Sequence, residues 1–203
     1  MTNATFPSTL LQYPSAPESE WAATARYGVR PAPDGLALVQ DFLNTRAGAT
    51  TGIDLLGNAN HANAWAGPAV HAWGARRGVA VLPPTMTEGD AKELGSVRDA
   101  LDDALAGHGF STTHQTLDVH LATTDAGAVL WTPTGHGWRW LASAIFAEIL
   151  LSQHAENWPR IKQCRNAACR ATIYDSTWDN SAVWHNRSTC ELPIASLRTA
   201  TND

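Results

Sequence analysis

Charged residues are scarce in this 203-residue sequence, where they make up 16% of the chain, and a long uninterrupted apolar run is missing. The longest apolar stretch, residues 140–151, contains Ser143 and Glu148 and is shorter than the ~20 residues that a membrane-spanning helix needs. The N-terminus also lacks the basic flank and apolar run of a signal peptide. These absences predict a soluble, cytoplasmic protein that makes no membrane contact.

A strongly basic surface is missing as well, because the formal net charge is -5. The charge is uneven: residues 160–203 carry six basic and four acidic side chains, a net of +2, and the rest of the chain carries -7. Each contact with a DNA phosphate needs its own cation. This balance therefore predicts weak binding to nucleic acid.

The familiar motifs of catalysis are absent from the sequence. It contains no glycine-rich phosphate loop, no Gly-x-Ser-x-Gly elbow and no His-Glu-x-x-His pair. No catalytic residue is therefore predicted, and the sequence leaves open whether the protein is an enzyme.

A hydrophobic content of 44% excludes a disordered chain, and the length is sufficient for a domain with a substantial core. We predict a mainly α fold with a minor β contribution: a helical body with one β-hairpin, followed by a small zinc-binding module. The boundaries are an irregular, proline-rich N-terminal arm at residues 1–34, a helical body at 35–159 and the C-terminal module at 160–203. Trp21 and Tyr27 are expected to attach the arm to the body.

Apolar periodicity and turn residues locate the elements of the body. They predict helices at residues 36–47, 62–77 and 138–155, another helix between the N-cap Thr87 and Gly107, and a hairpin at 117–133. Pro68 is expected to kink or split the second helix, because proline removes an amide donor. The strongly apolar helix at 138–155 is expected to be the central helix of the core.

Only three cysteines are present, and all lie in the last quarter of the chain. Together with a histidine they form two pairs, Cys164-x4-Cys169 and His185-x4-Cys190, separated by fifteen residues. Two ligand pairs on short loops can supply the four soft ligands of a tetrahedral zinc ion, and a four-ligand site has a structural role. The alternative is three buried thiols with a surface histidine. A catalytic cysteine is disfavoured, because no cysteine stands apart from the cluster.

This segment resembles the CGNR zinc finger, whose members end in Trp-Cys-x4-Cys-Gly-Asn-Arg. The matching residues here are Cys164, Cys169, Tyr174, Asp175 and Trp184, with His185 at the place of the third cysteine and Cys190 at that of the fourth. The preceding body resembles the ABATE domain that usually accompanies the finger. Its matching residues are 41–45 (Asp-Phe-Leu-Asn-Thr), 54–56 (Asp-Leu-Leu), Trp65 and Arg98, so that the resemblance covers about residues 35–198.

Members of this family are described as transcription regulators, and the resemblance implies that the finger contacts DNA. The chain departs from the family where Glu191 and the next two residues replace Gly-Asn-Arg, and where Ala182 replaces an arginine. The arginines that remain as candidate nucleic-acid contacts are Arg165, Arg187 and Arg198.

A small anionic or aromatic ligand is the other predicted partner, with Asn44, Thr45, Arg98 and Arg160 as its candidate binding residues. Hydrogen-bonding side chains next to a guanidinium can bind a carboxylate or phosphate, and tryptophans can form the apolar wall. An internal carboxylate, either Asp41 or Asp54, is the alternative partner of Arg98. In that case the group has a purely structural role.

Three functions therefore remain open at this point. The first is a zinc-binding regulator of the CGNR type, whose body senses a small molecule or a partner. The second is a diverged relative that binds or converts a small molecule, with a structural zinc and no DNA binding. The third is a module for protein interaction.

Overall fold

A computed structural model describes residues 20–48, 51–109 and 116–191. The helices are α1 (Ala22–Ala25), α2 (Leu36–Leu43), α3 (Ala59–Arg77), α4 (Glu88–Leu105), α5 (Trp138–His154) and α6 (Arg187–Cys190). Two antiparallel strand pairs accompany them, β1 (Val119–Thr123) with β2 (Val129–Pro133), and β3 (Ile161–Gln163) with β4 (Thr172–Tyr174). The prediction of a mainly α fold with a hairpin and a small C-terminal module is confirmed. Across the described ranges, no helix has both the length and the apolarity to cross a bilayer.

Helix α2 lies at the centre of the core, and all eight of its residues are buried. It contacts α1, α3, α4, α5 and β4. Helix α5, which we expected at the centre, contacts α2, α4 and β2 and leaves Leu150 and Leu151 exposed. The central position follows from composition, because Gln40 and Asp41 are the only polar residues of α2 and both have internal partners.

Asp90 connects the beginnings of α4 and α5. Its Oδ2 accepts a hydrogen bond from the Thr87 amide at 2.8 Å, and the Thr87 hydroxyl accepts one from the Asp90 amide, which forms the capping box of α4. Asp90 Oδ1 also accepts from the Trp138 amide at 3.0 Å. Gly137 has a φ of 54°, and a Cβ there would lie 2.2 Å from Asp90 Oδ1, so only glycine fits.

Two predicted helices differ from the observed ones. Helix α3 begins at Ala59 and continues through Pro68 without a break. The proline deprives the Ala64 carbonyl of its helical donor, but both residues are exposed, and water can replace that bond. Helix α2 ends at Leu43 instead of residue 47, because the Thr45 hydroxyl donates to the Phe42 carbonyl at 2.6 Å and the chain turns away.

The described part of the N-terminal arm, residues 20–34, packs into the core, and α1 is its one regular element. Trp21 and Ala32 are buried in the main hydrophobic cluster. The arm also supplies a partner to α2, because Asp41 Oδ1 accepts a hydrogen bond from the Thr24 amide at 2.7 Å. Residues 1–19 lie outside the described part of the chain.

Asp41 should make the stability of the fold depend on pH. Burial raises its pKa to about 6, although hydrogen bonds from Thr24 and Trp65 oppose the shift. Since the folded pKa is above the unfolded value of about 3.9, stability from this group is complete below that value and is lost as the pH rises through the folded pKa.

We therefore expect the free energy of unfolding of the wild type, relative to Asp41→Asn, to fall by about 2 kcal/mol between about pH 4 and pH 7. Urea titrations of both proteins across this range measure the difference. The asparagine carries no titrating proton, so any constant cost of the substitution cancels from the slope. A difference that does not change with pH would contradict the prediction.

Candidate metal centre

The first two thiols lie on a turn between two short strands. Strands β3 and β4 pair antiparallel, and the Cys164 amide extends the ladder by donating to the Ala171 carbonyl at 2.7 Å. The intervening residues fold into a tight turn, in which the Cys169 amide donates to the Asn166 carbonyl at 2.9 Å. The strand pair therefore brings Cys164 and Cys169 to the same end.

The other two ligands come from the segment that ends in α6. Arg165 donates its amide to the Val183 carbonyl at 2.8 Å, which places the residue pair Trp184–His185 beside the turn. Asn186 caps α6 by accepting from the Ser188 amide, and Cys190 is the last residue of this helix. The four candidate ligands thus converge from two loops, as their spacing predicted.

The ligand atoms of Cys164, Cys169, His185 and Cys190 all lie within 4.8 Å of one another. His185 Nδ1 is 3.1 Å from the sulfurs of both Cys169 and Cys190. Zinc bonds of about 2.3 Å to sulfur and 2.0 Å to nitrogen place tetrahedral ligand atoms roughly 3.5–3.8 Å apart. The cluster therefore has the size and the donor set of a four-coordinate metal site.

The environment of the cluster favours neutral groups unless a cation is present. Burial, with a smaller contribution from the nearby Cys164, raises the pKa of the Cys169 thiol to about 12. Burial also lowers the pKa of His185, which keeps an imidazole lone pair available. Thiolates are the form that binds metals, so a bound metal ion would supply the charge that stabilises them here.

Aromatic and apolar side chains surround these ligands. Tyr27, Ala171, Cys164 and Cys190 form a second small hydrophobic cluster, with Trp184 packed against it. The Tyr27 ring meets the imidazole ring of His185 edge-on, with centroids 6.5 Å apart. Tyr27 therefore attaches the N-terminal segment to the metal module, whereas the sequence predicted attachment to the body.

Asn44, a predicted ligand-binding residue, instead connects the body to the metal module. Its Oδ1 accepts from the Thr172 amide at 2.8 Å, and its Nδ2 donates to the Thr172 carbonyl at 3.0 Å. Gln40 Nε2 donates to the same carbonyl at 3.2 Å. The amide oxygen and the amide nitrogen of Asn44 are thus both bonded to strand β4.

Thr45 and Arg98 do come together, but around an internal carboxylate. Arg98 Nη1 and Nη2 each donate to Asp54 at 2.8 Å, and Nη1 also donates to the Thr45 hydroxyl at 3.1 Å. Burial raises the pKa of Asp54, but the hydrogen bonds from Arg98 and the Leu56 amide, together with the charges of Arg98 and Arg46, outweigh burial and hold this pKa below its usual value. Of the two carboxylates considered for Arg98, Asp54 is the one that pairs with it.

Arg160, the fourth predicted ligand residue, belongs to the metal module and does not meet Arg98. Its Nη1 donates to the carbonyls of Asp175 and Thr177 at 2.9 and 2.8 Å. The four residues predicted to bind a small ligand therefore do not line one cavity.

Two of the three candidate DNA contacts share a groove beside the metal cluster. Arg165 and Arg187 line this groove, of about 740 Å³, together with Trp184 and Glu191. Arg187 Nε donates to Glu191 Oε2 at 2.5 Å, and both side chains are exposed. Arg198 lies outside the described residues.

Asp175 is a functional residue whose role the sequence did not reveal. Its buried carboxylate accepts from Lys162 Nζ at 2.8 Å and from the Ala182 amide at 2.7 Å. Burial raises the pKa of Asp175, but the bond from Lys162 and those from Thr177 and Ala182 outweigh burial and lower it. Asp175 thereby fixes the loop that leads to His185. The Asp-x-Thr spacing, typical of a local Asx turn, was the signal available.

The sequence matched no family model and no curated protein. The resemblance to the CGNR and ABATE families therefore stays a prediction, and the interpretation of the metal centre depends on its geometry and donor chemistry.

Proposed function

We propose that Cys164, Cys169, His185 and Cys190 bind one zinc ion, and that this zinc is structural. The observation that carries the proposal is the convergence of three sulfurs and one imidazole nitrogen within 4.8 Å. Zinc prefers this soft and borderline donor set in tetrahedral geometry. Four protein ligands leave no open position for water or substrate, so the ion would hold loops together and would take no part in a reaction.

The function that we propose for the whole chain is that of a regulator of the CGNR type. In this proposal zinc shapes the groove between Arg165 and Arg187, and this groove contacts the DNA backbone. The two guanidiniums on one side of the same small module support it. Arginine is well suited to phosphate, because its planar fork can bind two oxygens at once.

A second candidate is a protein that binds a small molecule and does not bind DNA, with the same structural zinc. The observation that favours it is the ion pair between Arg187 and Glu191, which neutralises one arginine of the groove. Two more cations of the module are used internally, since Lys162 pairs with Asp175 and Arg160 binds backbone carbonyls. The net charge of -5 also favours a protein that does not bind DNA.

Salt dependence of DNA binding tests the regulator. Two to four phosphate contacts should give a log–log slope of roughly -2 to -4 for a duplex titrated by fluorescence anisotropy. Arg165→Ala should reduce the magnitude of the slope by about 1. Glu191→Gln releases Arg187 and should tighten binding several-fold, whereas the exposed control Glu93→Gln should change nothing. Absence of binding to wild type and Glu191→Gln at physiological salt would exclude DNA contact and support the second candidate.

A further inference from the structure

A separate cavity of about 380 Å³ opens in the helical body, away from the metal module. It lies between the beginning of α2, the last turn of α3 and the C-terminal half of α5. None of the residues predicted to bind a ligand or DNA lines it. Its volume falls within the range of pockets that hold small molecules.

Glu148 is the most unusual residue in the lining of this cavity, because only one of its two carboxyl oxygens accepts hydrogen bonds from the described residues. The residue is 5% exposed. Its Oε1 accepts two hydrogen bonds of 2.8 Å, from Trp73 Nε1 and from Arg77 Nη1. Its Oε2 receives no hydrogen bond from any residue that the structure describes. The Glu148 carboxyl group lines the cavity, so a ligand bound there can donate a hydrogen bond to this oxygen in place of solvent.

Gly35 leaves the space that this carboxylate needs. A Cβ at Gly35 would lie 2.0 Å from Glu148 Oε2, so a larger residue would displace the carboxylate. Gly35 also precedes α2, whose first turn has no side-chain cap and no acidic residue. The partial positive charge at this end of α2 therefore faces the cavity region. No acidic residue in the first turn of α2 neutralises it.

Two arginines also line the cavity. The Arg77 guanidinium lies 4.2 Å from the Trp131 ring centroid and 5.5 Å from that of Trp73, which fixes it in place. Arg76 is stacked 5.1 Å from the centroid of Trp21, and its Nη1 donates to the Ala32 carbonyl at 3.3 Å. The Arg76 guanidinium makes no salt bridge within the described ranges, so its remaining donors are available to an anion.

The charges in the lining cancel one another. Arg76 and Arg77 contribute two positive charges, and Asp34 and Glu148 contribute two negative ones. Arg77 is already paired with Glu148 Oε1, so the groups that remain for a ligand are the Arg76 guanidinium and Glu148 Oε2. A zwitterion matches both signs, with a cation on Glu148 Oε2 and a carboxylate on Arg76.

We propose that this cavity binds a free α-amino acid. The ammonium group would donate to Glu148 Oε2, the carboxylate would accept from Arg76, and the side chain would contact Leu36 and Leu151, which also line the cavity. The site does not depend on the proposed zinc ion or on DNA contact, since it shares no residue with either.

Isothermal titration calorimetry of the full chain with each of the twenty standard L-amino acids tests the proposal. At least one should bind with one-to-one stoichiometry. That amino acid should bind at least about tenfold more weakly as its N-acetyl derivative, which has no ammonium, and as its methyl ester, which has no carboxylate. If no amino acid binds, or if the N-acetyl form binds equally well, the proposal is overturned.

Matched variants locate the binding site. Glu148→Gln can retain the acceptor for Trp73 and Arg77 while it replaces the free oxygen with an amide, and it should weaken binding at least about tenfold. Arg76→Gln should do the same. The control is Arg139→Gln, because Arg139 also stacks on a tryptophan, 4.7 Å from the Trp138 centroid, but lies outside the cavity. Arg139→Gln should bind the amino acid as tightly as the wild type does.

A variant that changes no charged residue keeps the proposal testable even if Glu148→Gln or Arg76→Gln fails to fold. Ala155 is exposed and lines the cavity, so Ala155→Leu reduces the space and leaves every charged partner in place. Binding should weaken in this variant while the melting temperature stays within a few degrees of wild type. Unchanged affinity in Glu148→Gln, Arg76→Gln or Ala155→Leu would place the bound amino acid elsewhere and overturn the assignment.

Discussion

Cys169→Ser is expected to lose nearly all bound zinc and to unfold the module formed by residues 160–191. Serine replaces a thiolate with a neutral hydroxyl, which is a poor zinc ligand at neutral pH. Structural zinc sites in small modules supply about 10–16 kcal/mol of apparent binding free energy, and the two three-residue strands here have little core of their own. Elemental analysis and near-UV circular dichroism of the purified proteins measure the two effects.

The wild type should contain about one zinc per chain, and a strong chelator should lower its melting temperature to that of the variant. His154→Ala provides the control, because His154 is an exposed histidine at the end of α5 and is not part of the cluster. It should retain the full metal content. A full zinc complement in Cys169→Ser would refute the ligand assignment, and a different metal in the wild type would refute zinc.

Arg98→Ala is expected to lower the free energy of unfolding by about 1.5–3 kcal/mol. Arg98 is 4% exposed and binds both oxygens of Asp54, so its removal leaves that carboxylate without its partner. Arg98→Lys should recover only part of the loss, because lysine cannot reproduce the bidentate contact. Urea denaturation at neutral pH gives the values.

The exposed arginine Arg139 again supplies the control, and Arg139→Ala should cost less than about 1 kcal/mol. The Arg98 ion pair should also show in the pH dependence. The pKa of Asp54 is lowered in the fold, so its stabilisation is present above the unfolded pKa and is lost as the pH falls through the folded one. Arg98→Ala should lose this acid-side dependence. A melting temperature equal to that of the wild type would show that the pair does not stabilise the body.

Elements with strong local signals could be predicted from the sequence. The start of α4 follows from the N-cap Thr87, and the four candidate metal ligands follow from their spacing. The hairpin follows from alternating residues around a short turn. In each case the interactions that decide the structure lie close together in the sequence.

Elements that depend on distant partners could not be predicted. Strands β3 and β4 have three residues each, too few to show an alternating pattern. Asn44 bonds to strand β4 across 128 positions, and no local pattern in the sequence marks that partner. The amino-acid cavity has no motif, since its residues come from three helices and acquire a common role only through packing.

The bonds between Asn44 and Thr172 have a consequence for biosynthesis. These residues are separated by 128 positions, so the polar groups at the end of α2 have no partner until Thr172 has left the ribosome. Gln40 waits for the same strand. With the proposed zinc holding the loop next to that strand, loss of the metal would also weaken these bonds between the body and the metal module. A cell starved of zinc would then accumulate chains whose helices are packed but whose Gln40 and Asn44 still lack their strand partner.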